Sequence, residues 1–320
     1  MKRRKFIAAS AMSVPLLSMF PANLSSIVRE TGRGEMEKRS LGKTGVKLSM
    51  IGFGGIVVKD ATTEQAAARV KEAIDNGINY FDVAPSYGNA EEMLGPALEP
   101  YRKDVYLACK TGERKREGAR KELEQSLKYL HTDHFDIYQL HAVTSLEDVD
   151  TIFGKGGALE TFVEARDEGK VKYLGFSAHS VEAAMALMDG FDFDTILFPF
   201  NFATWYAGNF GPQVMERSRE KQMGILALKA MAWRPWEEGE ERTNEKTWYK
   251  PLTNKEEASQ GLQFTLSHPV TAAIPPGHED LFSMALELAR DFSPMEENEI
   301  KAIKEKAMKT EPLFRYPMET

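Results

Sequence analysis

Eight short apolar runs, each followed by a stretch of helical periodicity, succeed one another along the chain after Lys47. They are Leu48–Phe53, Tyr80–Phe81, Val105–Ala108, Phe135–Leu140, Tyr173–Phe176, Thr195–Phe198, Gly224–Leu228 and Ala272–Ile274. Between the first two, Thr63–Asn76 sets Ala66, Ala67, Val70, Ala73 and Ile74 on one stripe, opens with a threonine cap and stops at Gly77. The stretches 118–130, 157–168, 181–188, 213–221, 255–266 and 281–291 have the same character, and residues 90–100 form a shorter, less regular one. Strands that alternate with helices pair in parallel, and eight of them predict an α/β chain closed as a (β/α)8 TIM barrel. An open doubly wound sheet is the competing arrangement. No linker rich in Pro, Gly or Ser interrupts residues 36–309, so one domain is expected over residues 36–320, and 320 residues suit such a barrel with extensions. Met36–Arg39 and Val46–Lys47, around Gly42–Gly45, predict an N-terminal β-hairpin under the barrel floor. Pro294–Met308 predicts a C-terminal helix packed on the barrel.

Residues 1–35 read as a separate signal peptide and linker. Met1–Lys5 carries four positive charges in five residues, and Phe6–Phe20 is an apolar run broken by Pro15. The run is shorter than the roughly 20 residues of a membrane-spanning helix, so no stable membrane span is expected. A charged start before a short apolar core is the pattern of an export signal. Arg3-Arg4-Lys5-Phe6-Ile7 resembles a twin-arginine signal, which implies the twin-arginine export machinery as a partner and a periplasmic location. A cytoplasmic enzyme with an uncleaved terminus is the alternative. The net charge of −7 lacks the basic excess of a general nucleic-acid binder. The single cysteine, Cys109, excludes an internal disulfide and a cysteine-based zinc cluster.

In such a barrel, chemistry sits where the strands end. The second strand ends in Phe81-Asp82 and runs into Val83-Ala84-Pro85-Ser86-Tyr87-Gly88. The third ends in Cys109-Lys110 and the fourth in Leu140-His141. Each residue alone has an ordinary structural explanation as a turn cap, a loop, a solvated charge or a core histidine. Together they deliver an aspartate, a lysine and a histidine from consecutive strands to one mouth. A free tyrosine has a pKa of about 10, and a nearby ammonium is expected to lower it. A carboxylate keeps the lysine charged and oriented, and a histidine can hold a carbonyl oxygen near the tyrosine. This set protonates an oxygen that is becoming an alkoxide. It has neither a nucleophile–base pair nor metal ligands, so the hydride must come from a cofactor.

Phe81–Gly88 resembles the active-site motif of the aldo-keto reductase family. Leu41–Ser49 resembles that family's N-terminal hairpin, Asp136–His141 its fourth strand and Gly169–Ser177 its fifth. The resemblance runs from about Leu41 to Leu288. It implies Tyr87 as general acid, Lys110 and Asp82 as its tuners, and His141 as the residue that orients the substrate. On the cofactor side it implies Gly54, Asp82, Ser177 beside the nicotinamide amide, Asn201, Lys229 as a phosphate contact, and backbone amides at Gly277 before the last barrel helix. NADP or NAD is the implied cofactor. Pro276 and Phe282 stand near the positions where a lysine and an arginine commonly grip the 2′-phosphate, so weak discrimination between the two is expected. The usual strand-six glutamine is Leu197. The substrate class is a small carbonyl compound or alcohol, including sugars. A non-catalytic cofactor-binding or sensor protein on the same barrel is the alternative, and a metal-dependent hydrolase lacks ligands. Trp205-Tyr206 and Trp233-x-x-Trp236 either line a substrate pocket or pack loops. Glu237–Lys246 is read as a solvated segment or a mobile lid. His131 and His134, three apart, are read as surface histidines.

Overall fold

A computed structural model describes residues 36–317. The export signal and linker read at residues 1–35 lie outside the described residues, as do residues 318–320.

Strands β1 (Lys38–Ser40) and β2 (Lys47–Ser49) form an antiparallel hairpin. The barrel strands follow as β3 (Phe53–Gly54), β4 (Tyr80–Asp82), β5 (Tyr106–Thr111), β6 (Phe135–Val143), β7 (Val171–Ala178), β8 (Thr195–Pro199) and β9 (Gly224–Leu228). A second antiparallel hairpin, β10 (Ala232–Pro235) and β11 (Tyr249–Pro251), precedes the last barrel strand, β12 (Ala272–Ile274). The eight barrel strands lie in the order β12-β9-β8-β7-β6-β5-β4-β3, all parallel. The two ends meet through a parallel bridge between Ile51 and Ala273, with Gly52 N donating to Ala273 O at 3.0 Å and Ala273 N to Met50 O at 2.9 Å. This is the closed barrel expected from the alternation, with its hairpin and C-terminal helix in place.

Helices α1 (Thr63–Asp75), α2 (Ala90–Leu98), α3 (Arg116–Tyr129), α4 (Leu146–Phe153), α5 (Ala158–Asp167), α6 (Val181–Gly190), α7 (Phe202–Tyr206), α8 (Pro212–Glu220), α9 (Lys255–Ser267), α10 (Glu279–Arg290) and α11 (Glu297–Ala307) surround the strands. Helix α1 begins with the expected cap: Thr62 and Gln65 form a reciprocal capping box. The less regular stretch at 90–100 is a true α-helix over Ala90–Leu98. Pro96 lies within it, and a 3₁₀ turn follows over Glu99–Asp104.

Several details differ from the sequence reading. The run Leu48–Phe53 is divided between β2 and β3, because Ser49 Oγ donates to Ile51 O and Asn79 Oδ1 takes the Ser49 N–H, turning the chain between them. Helix α4 and the β10–β11 hairpin were not expected. The segment Glu237–Lys246 is the connection of that hairpin, tethered at several points. Glu240 is held by Arg234 at 3.0 Å and by Lys250, Asn244 is buried, and Lys246 Nζ donates to Val57 O at 3.1 Å.

The barrel interior is largely apolar, filled by Leu41, Leu48, Tyr80, Ala108, Ile137, Leu197, Leu226, Ala272 and Ile274, with Gln139 and Thr195 buried among them as polar exceptions. A second apolar layer lies between the strands and the helices. Leu41 and Leu48 come from the first hairpin, which closes the N-terminal end of the barrel. Lys43 N donates to Gln222 O at 3.0 Å, and Thr271 Oγ1 to Ser40 O at 2.9 Å. The hairpin turn rests on Gly42, whose φ is +51° and whose position leaves no room for a side chain. A Cβ there would lie 2.4 Å from both Gln222 O and Gly224 N. Gly42→Ala should therefore destabilise the fold by about 1–3 kcal/mol, the usual cost of overpacking. Urea unfolding measures this, and an unchanged midpoint would show that the hairpin does not bear on the barrel floor.

Candidate active site

The parallel register puts the ends of the strands at one level. Gly54 pairs with Asp82, Asp82 with Ala108, Lys110 with Gln139, Leu140 with Phe176, and Ser177 with Leu197. The residues just beyond these ends face a cavity of about 200 Å³, lined by Gly54, Asp82, Tyr87, His141, Ser177, His179, Lys229, Trp248, Tyr249 and Gly277 among others. A larger hollow of about 1210 Å³ lies at the opposite ends of β5, β6 and β7. Its central charges are already paired, with Asp136 between Arg102 at 3.0 Å and Lys172 at 2.8 Å.

Lys110 Nζ makes a buried ion pair with Asp82 Oδ1 and donates to Val83 O at 3.2 Å. Tyr80 Oη donates to Asp82 Oδ2 at 3.0 Å, so both oxygens of the carboxylate are engaged. Tyr80 was not singled out from the sequence, although its two-residue spacing from Asp82 on one strand places both side chains on one face. Tyr87 stands on the turn after β4, its N–H donating to Ala84 O at 3.0 Å. Lys110 Nζ lies 5.7 Å from the centre of its ring. His141 meets Tyr87 edge to face, with ring centroids 5.6 Å apart.

His141 owes its direction to an irregularity in β6. The register slips between Leu140 and Val143, and Ala142 has φ +50°. Such bulges re-aim side chains. Arg114 Nη2 fixes the bulge by donating to His141 O at 2.9 Å, and Ala142 N donates to Ser177 Oγ at 2.7 Å. Ser86 Oγ lies 3.3 Å from His141 Nδ1. A hydroxyl proton directed there leaves the proton of the neutral imidazole on Nε2, where it can donate to a ligand.

The electrostatics correct one expectation. Burial first, and then the Asp82 charge, push the Tyr87 hydroxyl well above its ordinary pKa, where lowering by Lys110 was expected. The Lys110 charge is answered at contact distance by Asp82, so in the resting site it does not outweigh desolvation and the Asp82 charge, both of which disfavour the phenolate. Tyr87 is thus a protonated donor across the neutral range. Burial, with help from Lys110, Arg114 and Lys229, lowers the His141 pKa to about 3. Burial and Lys229 lower that of His179 to about 2. Both imidazoles are neutral at pH 7.

Of the residues read from the sequence, Asp82, Tyr87, Lys110 and His141 are brought together. Gly54, Ser177, Lys229 and Gly277 share the cavity wall with three of them. Asn201 does not line the cavity: its Oδ1 caps α7 by accepting from Thr204 N at 3.0 Å. Trp205 and Tyr206 pack on Phe264, and Lys250 lies over Trp233 and Trp236, so the four aromatic residues serve packing. His131 and His134 sit by Glu99 and Asp133, and no group of His, Cys, Asp or Glu among the described residues could hold a metal. The aromatic lining comes instead from Trp248 and Tyr249, at the end of a charge-rich segment with no periodicity to mark them.

The donor set fits a dinucleotide. At Gly54 and Gly277 the place of a side chain is taken by Ile274 and Ile56, so each presents only backbone to the cavity. Ser177 offers a hydroxyl, and the Lys229 ammonium has no carboxylate partner among the described residues. Trp248 and Phe314 narrow the mouth, and their rings touch at 5.8 Å.

A sequence model of the aldo/keto reductase family matches residues 50–263. The uncharacterized oxidoreductase YqkF of Bacillus subtilis is 25% identical over 84% of this chain and 95% of its own length. L-galactose dehydrogenase of Arabidopsis thaliana is 32% identical over 48% of this chain, and the aldo-keto reductase YhdN of Bacillus subtilis 32% over 52%. These two alignments span about half of each relative, 52% and 54%. Among solved structures, an aldo-keto reductase from Bacillus halodurans in its holo form superposes with a TM-score of 0.69 at 23% identity, covering 89% of this chain and 99% of that one. An aldo/keto reductase from Klebsiella pneumoniae, in complex with NADP and acetate, gives 0.67 at 19% identity with the same coverage. At these identities the superpositions establish the barrel fold.

The neutral histidines make stability depend on pH. In the unfolded chain an imidazole titrates near about 6.5. In the folded chain His141 and His179 titrate near 3 and 2, so between these values the unfolded state binds protons that the native state does not. Stability is then greatest above the unfolded value and falls as pH drops. Going from pH 7 to pH 5 should remove on the order of 2 kcal/mol per histidine. His268, also lowered by burial, adds to the slope. Unfolding free energy measured against pH in the wild type and in a His141→Gln, His179→Gln variant checks this. An equal slope in both would show that neither imidazole is held neutral by the fold.

Proposed function

The chain belongs to the aldo/keto reductase family, and from that premise we propose that it is a nicotinamide-dependent oxidoreductase acting on an aldehyde, ketone or sugar carbonyl, with Tyr87 as general acid and, in reverse, general base. The observation that carries this reading is Tyr87 on the cavity wall, beside the buried Asp82–Lys110 pair and edge-on to neutral His141. The nicotinamide, when bound, supplies or accepts the hydride. Every other task falls to the chain's own side chains. His141 donates a hydrogen bond that orients the carbonyl oxygen. Tyr87 passes its proton to that oxygen as negative charge develops on it. Lys110, kept charged by Asp82, stabilises the phenolate left behind. The elevated resting pKa of Tyr87 keeps the proton in place until the oxygen becomes the stronger base.

The cofactor is assigned to Gly54, Asp82, Ser177, Lys229 and Gly277, and Asn201, which caps α7 away from the cavity wall, is left out of that set. NADP is bound by a relative of the same fold. In this chain Phe282 is buried in the core, and Arg69 is paired with Glu279 at the start of α10, so neither offers a free grip on a 2′-phosphate. A preference for NADP over NAD of less than tenfold is the expected result. Titration of both cofactors, with carbonyl reduction followed in wild type and Tyr87→Phe, tests the whole reading. The variant should bind either cofactor as the wild type does and lose about 10²–10⁴-fold in rate. A variant of near wild-type rate would remove Tyr87 as the acid. Tight cofactor binding without turnover of any carbonyl in the wild type would favour the non-catalytic, sensor-type alternative.

The N-terminal sequence supports a second proposal, on location. Arg3-Arg4-Lys5-Phe6-Ile7 followed by an apolar run fits the twin-arginine route, which carries folded proteins with their cofactors loaded, and the proposed destination is the periplasm. No helix among the described residues is long and apolar enough to cross a membrane. Cell fractionation of the wild type against an Arg3→Lys, Arg4→Lys variant should find only the wild type outside the cytoplasm. Equal cytoplasmic retention of both would refute export.

A further inference from the structure

Two buried lysines at the C-terminal ends of the barrel strands are in opposite circumstances. Lys110 is paired with Asp82. Lys229, just past the end of β9, is 7% exposed and has no carboxylate in ion-pair reach among the described residues. Its backbone is left-handed, with φ +65°, and a turn from Ala232 N to Lys229 O at 2.9 Å holds it there. The ammonium nitrogen lies among three aromatic rings, 5.5 Å from the centre of Trp248, 5.7 Å from Phe314 and 5.9 Å from Tyr249. Its polar neighbour is His179, whose Nε2 is 3.5 Å away.

We propose that Lys229 is a nucleophilic amine that condenses reversibly with aldehydes entering the cavity, a covalent site distinct from the hydride-transfer group. The groups that face it leave it without a counter-charge. His179 and His141 are neutral, the Tyr249 hydroxyl is held protonated by burial, Lys246 is a second cation, and Asp82 is committed to Lys110. Aromatic faces favour an ammonium, but these rings stand near the outer limit of about 6 Å for that attraction and offset only part of the cost of burial. Burial accordingly lowers the Lys229 pKa to about 7, and a large share of the side chain is free amine at neutral pH.

The chemistry needs only the amine and an aldehyde. The nitrogen lone pair forms a bond to the carbonyl carbon, and the π pair moves to oxygen. One N–H proton transfers to that oxygen, giving a carbinolamine. Loss of water, with the second nitrogen proton, leaves a C=N bond. No electron donor or acceptor is required. The proposal goes beyond the reductase reading and does not rest on it.

Reductive trapping tests it. The full chain, without added cofactor, is exposed at pH 7.5 to butyraldehyde, an uncharged probe, together with cyanoborohydride, and modified lysines are mapped by peptide mass. An ordinary surface lysine, with a pKa of about 10.4, is only about one part in a thousand free amine there. Lys229 should be modified at least about tenfold faster than such lysines, with a rate that levels off above about pH 8. Modification of Lys229 no faster than the surface set would overturn the proposal. Trp248→Ala separates activation from access, because Trp248 is 52% exposed and its removal lets water reach the amine. Solvation returns Lys229 toward the ammonium form, so trapping at pH 7 should slow several-fold although the site is more open. Faster trapping in that variant would show that the ring shields the amine without activating it, and would equally overturn the proposal. Hydride transfer, followed separately, reports on the reductase reading alone.

Discussion

The contact between Lys110 and Asp82 is the interaction on which the site depends. A buried pair of charges persists only when its remaining hydrogen-bonding capacity is met, and removal of one partner typically costs about 3–5 kcal/mol. Here Tyr80 and the Val83 carbonyl meet that capacity. The pair bridges neighbouring strands, β4 and β5, whose parallel register fixes how far each side chain must reach. Tyr87 stands over the lysine on the turn that leaves β4, and His141 arrives from β6, the next strand along. A slip in any of these registers would turn one of the groups to the other face of the sheet.

The barrel separates two kinds of surface. Its interior is largely apolar, and the first hairpin seals its floor with Leu41 and Leu48. Asp82, Lys110 and Lys229 stand where the strands run out. At that mouth the second hairpin and the C-terminal segment bring Trp248, Tyr249 and Phe314 over the cavity. The resulting enclosure has a consistent effect on charge. One lysine is held in an ion pair with a carboxylate, whereas the lysine without one and the two histidines shift toward their neutral forms. One low-polarity environment thus produces a protonated tyrosine, neutral imidazoles and a partly neutral amine.

The bulge in β6 and the flap after β9 show the limits of reading patterns. His141 was legible because it ends an apolar run, but nothing in Leu140-His141-Ala142-Val143 announces that the backbone turns there through a left-handed alanine. Trp248 follows a stretch rich in glutamate, which by composition reads as solvated. It is drawn to the mouth because Lys246 binds the Val57 carbonyl and Arg234 and Lys250 gather on Glu240. Helix α4 was missed because its eight residues are few for a periodicity to show, although Ser145 caps it in the ordinary way.

By itself the sequence determined the closed barrel, the hairpin at its floor, and which functional residues stand near the ends of β4, β5 and β6. Those follow from the periods of apolar residues and from turn chemistry, which act between near neighbours in the chain. The tertiary structure alone decided how the charges behave. Whether Lys110 meets a carboxylate, whether Lys229 goes without one, and whether Tyr87 holds or sheds its proton depend on distances between residues far apart in sequence. They depend as well on how much water the assembled mouth excludes, and no local pattern encodes either quantity.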